Sequence, residues 1–219
     1  MAMVMVTGAT GGIGAALVKM LHARGDEVYG VGRDHDRLAA LGVRPVVADL
    51  THPETLESSI PRLDRLDALV HSAGVVTLGN IAETPYRVWM EHLTVNLGAA
   101  AELTRLLLPS LRAAEGQVVF VNSGAGLQAN PGWGAYAASK FGMRALADSL
   151  RAEERQLRIT SIHPGRTATA MQQSVRDQEG AEYDPEQYIQ PATVANLILT
   201  ALDTPRDAEL IEMSVRYRL

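Results

Sequence analysis

The amino-acid sequence predicts an α/β chain wound on both sides of one mostly parallel sheet of seven strands, with all of residues 1–219 in a single domain. Short runs rich in Val and Ile alternate along the chain with stretches of helical periodicity, the pattern of repeated strand–helix–strand units. The first run passes through a glycine-rich turn directly into a helix, the start expected of a nucleotide-binding sheet. The length suits one α/β core of this size.

Met3-Val4-Met5-Val6 is apolar throughout, as a central parallel strand covered on both faces must be. Thr7-Gly8-Ala9-Thr10-Gly11-Gly12-Ile13-Gly14 follows, and a helix over 13–24 places Ile13, Leu17, Met20 and Leu21 on one face. A strand at 27–32 precedes a helix at 34–41, and a strand at 43–48 precedes a helix at 53–60. The next strand, 67–72, leads to a long helix over 86–113. The strand at 117–122 carries Val118-Val119-Phe120-Val121 and is followed by a helix at 134–155. Strands at 159–163 and 210–215 flank a helix at 191–202. Residues 166–190 contain the polar run Gln172, Gln173, Arg176, Asp177, Gln178 and Glu179, which reads as a partly exposed, mobile flap over the substrate.

Composition removes several classes of function. The formal charge of −5 exerts no general pull on nucleic acid or an anionic membrane. The absence of cysteine rules out thiolate chemistry and cysteine-based metal sites, and the six histidines show no ligand spacing, so no metal is expected. No apolar run is long enough to span a bilayer and the chain starts on a strand, so a cytoplasmic protein is expected.

Ligands of such sheets lie beyond the carboxyl ends of the strands, and the chemically useful residues fall there. Glycine at the first turn lets the backbone approach a pyrophosphate, and the helix start offers free N–H groups to it. Arg33 follows the second strand, Asp49 the third, Ser72 to Gly74 the fourth, Ser123 the fifth, and Pro164-Gly165 the sixth. Tyr136 and Lys140 lie four apart in a predicted helix and share a face. A cation beside a phenol lowers its pKa and fits it for proton transfer near neutrality.

With these motifs the chain resembles the shorter, single-domain short-chain dehydrogenase/reductases over essentially its whole length. Thr7 to Gly14 is similar to that family's TGxxxGIG loop, Tyr136-x-x-x-Lys140 to its YxxxK site, and Pro164-Gly165 with Thr169 to its PGxxxT element. His71-Ser72-Ala73-Gly74 stands where the family has NNAG, so the usual asparagine bracing of that strand end is in question. The resemblance implies a Rossmann-type fold and a nicotinamide cofactor held by Gly8, Thr10, Gly12, Ile13, Gly14, Ala73, Gly74, Tyr136, Lys140, Pro164, Gly165, Thr167 and Thr169, with Asp49 and Leu50 against the adenine. It implies four catalytic residues. Tyr136 is the acid in reduction and the base in reverse. Lys140 depresses its pKa and bonds the nicotinamide ribose. Ser123 donates to the carbonyl oxygen, and Asn96 holds a water that refills the proton on Lys140.

At the end of the second strand Gly32 fills the place of the acid that would take the ribose hydroxyls of NAD, and Arg33 follows it. A guanidinium grips a 2′-phosphate, so the reading favours NADP(H); Asp34 is the counter-argument unless it caps the next helix and points away. The expected function is interconversion of a ketone or aldehyde with its alcohol. The alternative is a catalytically silent NADP(H)-binding sensor or regulator of the same fold. Leu78, Leu127, Trp133, Met171, Tyr183 and Tyr188, with Gln128, Asn130 and Gln172, are the expected pocket residues, suiting a small or medium uncharged substrate. Arg166 leaves room for an acidic one. The family resemblance implies a homodimer or homotetramer.

Overall fold

The computed structural model describes residues 1–218. The chain runs β1 (Met3–Thr7), α1 (Gly12–Ala23), β2 (Glu27–Gly32), α2 (His35–Ala40), β3 (Arg44–Val47), α3 (Leu56–Ser59), β4 (Ala68–His71), α4 (Tyr86–His92), α5 (Ala99–Ala114), β5 (Gln117–Val121), α6 (Gly134–Glu153), β6 (Arg158–Pro164), α7 (Ala170–Gln178), α8 (Pro191–Asp203) and β7 (Glu212–Val215). The seven strands form one sheet in the order β3-β2-β1-β4-β5-β6-β7, with every pairing among the described residues parallel. Helices cover both faces, as the sequence predicts.

Strand alternation decides which residue meets which layer. Met5 joins Leu69, Phe120, Leu103, Leu107 and Leu150 in a core with α5 and α6, while Val4 and Val6 point the other way, into a core with Leu17 and Leu21 of α1 and Val194 and Ile198 of α8. The strand order reverses between β1 and β4, opening a crevice at the carboxyl ends of the strands.

Three elements differ from the sequence reading. The helix expected over 53–60 is split into a tight three-residue turn, Pro53–Thr55, and the single turn of α3. The helix expected over 86–113 contains a π-helical stretch, Leu93–Gly98, between α4 and α5, with Asn96 inside it. The 166–190 segment contains α7, started by Thr169, whose Oγ1 accepts a hydrogen bond from the Gln172 N–H at 3.2 Å. Only Gln172 and Val175 of α7 are buried, which leaves too thin an apolar stripe to show as periodicity.

Candidate active site

The turn after β1 needs its glycines for geometry. Gly8 and Gly12 have φ of 64° and 43°, in the left-handed region, and a Cβ on Gly14 would lie 2.3 Å from the Gly8 carbonyl oxygen. Gly14 thus lets α1 pack directly on the turn. A cavity of about 960 Å³ runs from this turn across the strand ends to Tyr136. Each cofactor or catalytic candidate lines it except Gly14, which supports the turn, and Asn96, which lies behind the wall.

At the end of β2, Asp34 caps α2 by accepting the Arg37 N–H at 3.1 Å, so its carboxylate is turned to the helix. Arg33 is exposed at the cavity edge. Hydrogen bonds from the Thr51 N–H and hydroxyl hold the Asp49 carboxyl below its usual range, with His52 and Arg33 adding smaller attractions. Arg37, which the sequence reading passed over, reaches the Thr10 carbonyl at 3.3 Å.

The strand end that lacks the asparagine amides is braced by other groups. Thr7 Oγ1 accepts the N–H groups of Ser72 and Ala73, both at 3.0 Å. His71 Nε2 meets Thr104 Oγ1 at 2.9 Å, and the Thr104 hydroxyl donates to the Ala100 carbonyl at 2.7 Å. Thr104 therefore accepts from His71, which fixes the proton on Nε2. The imidazole also stacks on Phe120, with ring centroids 4.9 Å apart.

Burial, with a smaller contribution from the Lys140 charge, holds the His71 imidazole down at about 3. An unfolded chain binds a proton here below about 6.5 and the folded one does not, so stability falls as pH drops from about 6.5 toward about 3. Urea midpoints across that range are expected to fall less steeply for His71→Asn than for the wild type. Parallel pH curves would show that His71 does not supply this acid sensitivity.

Tyr136 lies in the first turn of α6 and Lys140 one turn later, both buried. Lys140 Nζ donates to the Val121 carbonyl at 3.0 Å, contacts Met143 Sδ at 3.7 Å, and lies 5.8 Å from the Tyr136 ring centroid. Burial lowers the Lys140 ammonium to about 8. The expected lowering of the Tyr136 pKa is not what the chain alone produces. Burial pushes the phenol up, and the nearby Ser123 hydroxyl offsets this only in part. Sharing a helix face brings the ammonium near the ring, but desolvation of the phenolate dominates.

Ser123 Oγ accepts the Ala125 N–H at 3.1 Å, which leaves the hydroxyl proton to be donated. Asn96 clamps the peptide groups of Val75. Its Oδ1 accepts the Val75 N–H at 2.8 Å, and its Nδ2 donates to the Val75 carbonyl at 3.0 Å and to Ser139 Oγ at 2.9 Å.

Of the expected pocket residues, Leu127, Gln128, Asn130, Trp133, Met171 and Gln172 line the cavity, and Leu78, Tyr183 and Tyr188 do not. The two tyrosines stack on each other, centroids 5.5 Å apart, and are used in packing the segment after α7. The Leu78 N–H donates to Gln178 Oε1 at 2.8 Å. Arg166 makes two hydrogen bonds to Glu179, at 2.8 and 2.5 Å, and its guanidinium lies 5.7 Å from the Trp133 ring centroid. Trp133 in turn meets the Tyr136 ring edge-on at 5.8 Å.

These residues fit a dinucleotide. The turn carries no side chain where Gly12 approaches Thr169, since a Cβ there would come within 2.8 Å of Thr169 Cγ2, and a buried cation stands at the far end of the cavity. Among the described residues no group of acids and histidines could hold a metal ion, and no helix is long and apolar enough to cross a membrane.

The family model for short chain dehydrogenases matches residues 2–180. The chain is 34% identical over 217 residues to the uncharacterized oxidoreductase YciK of Escherichia coli K12, covering 90% of this chain and 84% of that protein. It is similar to a short-chain dehydrogenase structure from Shigella flexneri 2a complexed with NADP, with TM-score 0.87, 30% identity, and coverage of 97% of this chain and 96% of the other. A short-chain dehydrogenase structure from E. coli CFT073 complexed with NADPH gives TM-score 0.84 at 30% identity, covering 97% of this chain and 95% of the other.

Proposed function

We propose, from the premise that this chain belongs to the short-chain dehydrogenase/reductase family, that it interconverts an uncharged small or medium ketone or aldehyde with its alcohol, using NADP(H). The observation that carries the reading is the placement of Ser123, Tyr136 and Lys140 at one end of a cavity whose other end is the glycine turn with Arg33 at its edge. Gly8 to Gly14 would receive the pyrophosphate, Arg33 a 2′-phosphate, and Thr167, Thr169 and the Pro164-Gly165 backbone the nicotinamide end. The cofactor supplies the hydride when bound. Two of the similar structures hold NADP or NADPH, which supports the phosphorylated form.

In reduction, Ser123 donates to the carbonyl oxygen and fixes its position, and Tyr136 gives that oxygen its proton. Burial keeps the phenol protonated until it is needed. Lys140, as the ammonium, stabilises the phenolate that remains. In oxidation Tyr136 takes the proton back. Both Nδ2 hydrogens of Asn96 are already committed. A water that refills the Lys140 proton therefore has to be held by the main chain at Asn96 or by the second lone pair of Oδ1. The 166–190 segment, built around α7, covers the substrate.

The uncharged-substrate reading rests on Arg166, the cation that lies against Trp133 on the cavity wall, being neutralised by Glu179. Binding a carboxylate there would require breaking a two-point ion pair. NADPH oxidation followed with matched neutral and carboxylated ketones tests this. Turnover of the neutral ketones at equal or better kcat/KM is expected. An advantage above about tenfold for the acids, lost in Arg166→Ala, would overturn the neutral-substrate reading, since about 1.4 kcal/mol is within reach of one charged contact. Binding of NADPH without turnover of any carbonyl in a broad panel would instead support a silent nucleotide sensor.

A further inference from the structure

We propose that Asn122 is a positioning residue that sets Ser123 against helix α6, and through it against Tyr136; this rests on the catalytic reading given above. Asn122 stands where β5 leaves the sheet: its own N–H still bonds the Ile162 carbonyl at 2.8 Å, but the strand pairing ends with Val121 opposite Ile162. Ser123 therefore begins a loop with no ladder partner for its N–H. The Asn122 side chain supplies one. Its Oδ1 accepts the Ser123 N–H at 2.8 Å, and its Nδ2 donates to the Lys140 carbonyl at 3.1 Å. One planar amide thus links the backbone of the serine to the backbone of the lysine across two elements distant in sequence.

The wedge in which the amide sits is shaped for it. A Cβ on Gly126 would lie 2.4 Å from Asn122 Oδ1 and 3.0 Å from the Lys140 carbonyl oxygen, so the loop passes this close only because residue 126 is glycine. Asn122 is 3% exposed, and both of its polar atoms are bonded to protein backbone. It acts on the reaction through Ser123, with the Lys140 backbone carbonyl of α6 as its anchor. Two further contacts tighten the same junction. His163 Nδ1 lies 3.2 Å from the Ser123 carbonyl oxygen, and Lys140 Nζ bonds the Val121 carbonyl at 3.0 Å. With its N–H, carbonyl and Oγ all engaged, Ser123 has little freedom to drift. Small displacements of a group that orients the reacting oxygen carry a large rate penalty.

The test is a double-mutant cycle between Asn122→Ala and Ser123→Ala, read as kcat per NADPH-binding site. With Ser123 present, Asn122→Ala is expected to lower kcat about tenfold and to leave the NADPH dissociation constant within about twofold. With Ser123→Ala already in place, the same change is expected to cost no more than about a further twofold, because the group being positioned is gone. Equal losses in the two backgrounds, or no loss with Ser123 present, would overturn the proposal. If Asn122→Ala does not bind NADPH, Asn122→Ser takes its place in the same cycle. Tyr136→Phe run alongside separates the two levels. Normal turnover by Tyr136→Phe would mean the catalytic reading has failed, whereas loss of turnover there with an unaffected Asn122→Ala would mean only the positioning role has failed.

Discussion

Tyr136→Phe is expected to lower kcat for carbonyl reduction by roughly 10²-fold or more while leaving the fold and NADPH binding close to wild type. The substitution removes one oxygen and keeps the ring. The packing contacts at this position are made by the ring: Trp133 meets it edge-on at 5.8 Å, and His92 at 6.2 Å. What is lost is the proton donor. Lys140 cannot substitute easily, because its ammonium is bonded to the Val121 carbonyl and held beside the strand end. Steady-state NADPH oxidation at saturating substrate, with NADPH affinity measured separately, decides the matter. Turnover near the wild-type rate would remove Tyr136 from the mechanism. Lys140→Met is expected to differ in kind, losing activity and weakening cofactor binding together.

The parts of this molecule that were legible in the sequence are those governed by local rules. Val118-Val119-Phe120-Val121 reads as a strand because a buried parallel strand has no polar face to show. Gly8 to Gly14 reads as a turn into a helix because the backbone geometry there excludes most other residues. Tyr136 and Lys140 share a helix face by spacing alone. Where the outcome depended on contacts between distant segments, the sequence was silent or misleading. The π-helical stretch around Asn96 is tied to Val75, and nothing near Asn96 in sequence announces that partner. The bracing of the β4 end comes from Thr7 and Thr104, far from His71 along the chain. Arg166 leaves room for an acidic substrate in the sequence, but in the fold it is paired with Glu179, thirteen residues on. Spacing placed Lys140 near the phenol, but the raised phenol pKa follows from burial, a property of the whole packed site.

Removing the Arg33 charge, as in Arg33→Ala, is expected to raise the NADPH dissociation constant by about one to two powers of ten and to leave NADH affinity almost unchanged. Charged hydrogen bonds to a phosphate are worth about 1.5–3 kcal/mol, which sets that range. The geometry at the end of β2 explains why the effect should be selective. Gly32 has no carboxylate to bond the two ribose hydroxyls of NADH, and Asp34, the first acid after β2 in sequence, is turned away to cap α2. Arg33 stands exposed at the cavity edge, with no salt bridge to a carboxylate among the described residues, so its guanidinium is available to a 2′-phosphate. The neighbouring guanidinium of Arg37 is engaged with the Thr10 carbonyl at 3.3 Å and is not an equivalent replacement. NADH lacks the phosphate and therefore loses nothing when the Arg33 charge is removed. Titration of wild type and Arg33→Ala with both cofactors, followed by NAD(P)H fluorescence, gives the four constants required. A wild type that binds NADH as tightly as NADPH would sink the NADP(H) reading, and equal weakening of both cofactors by Arg33→Ala would move Arg33 from the 2′-phosphate to a contact the two cofactors share.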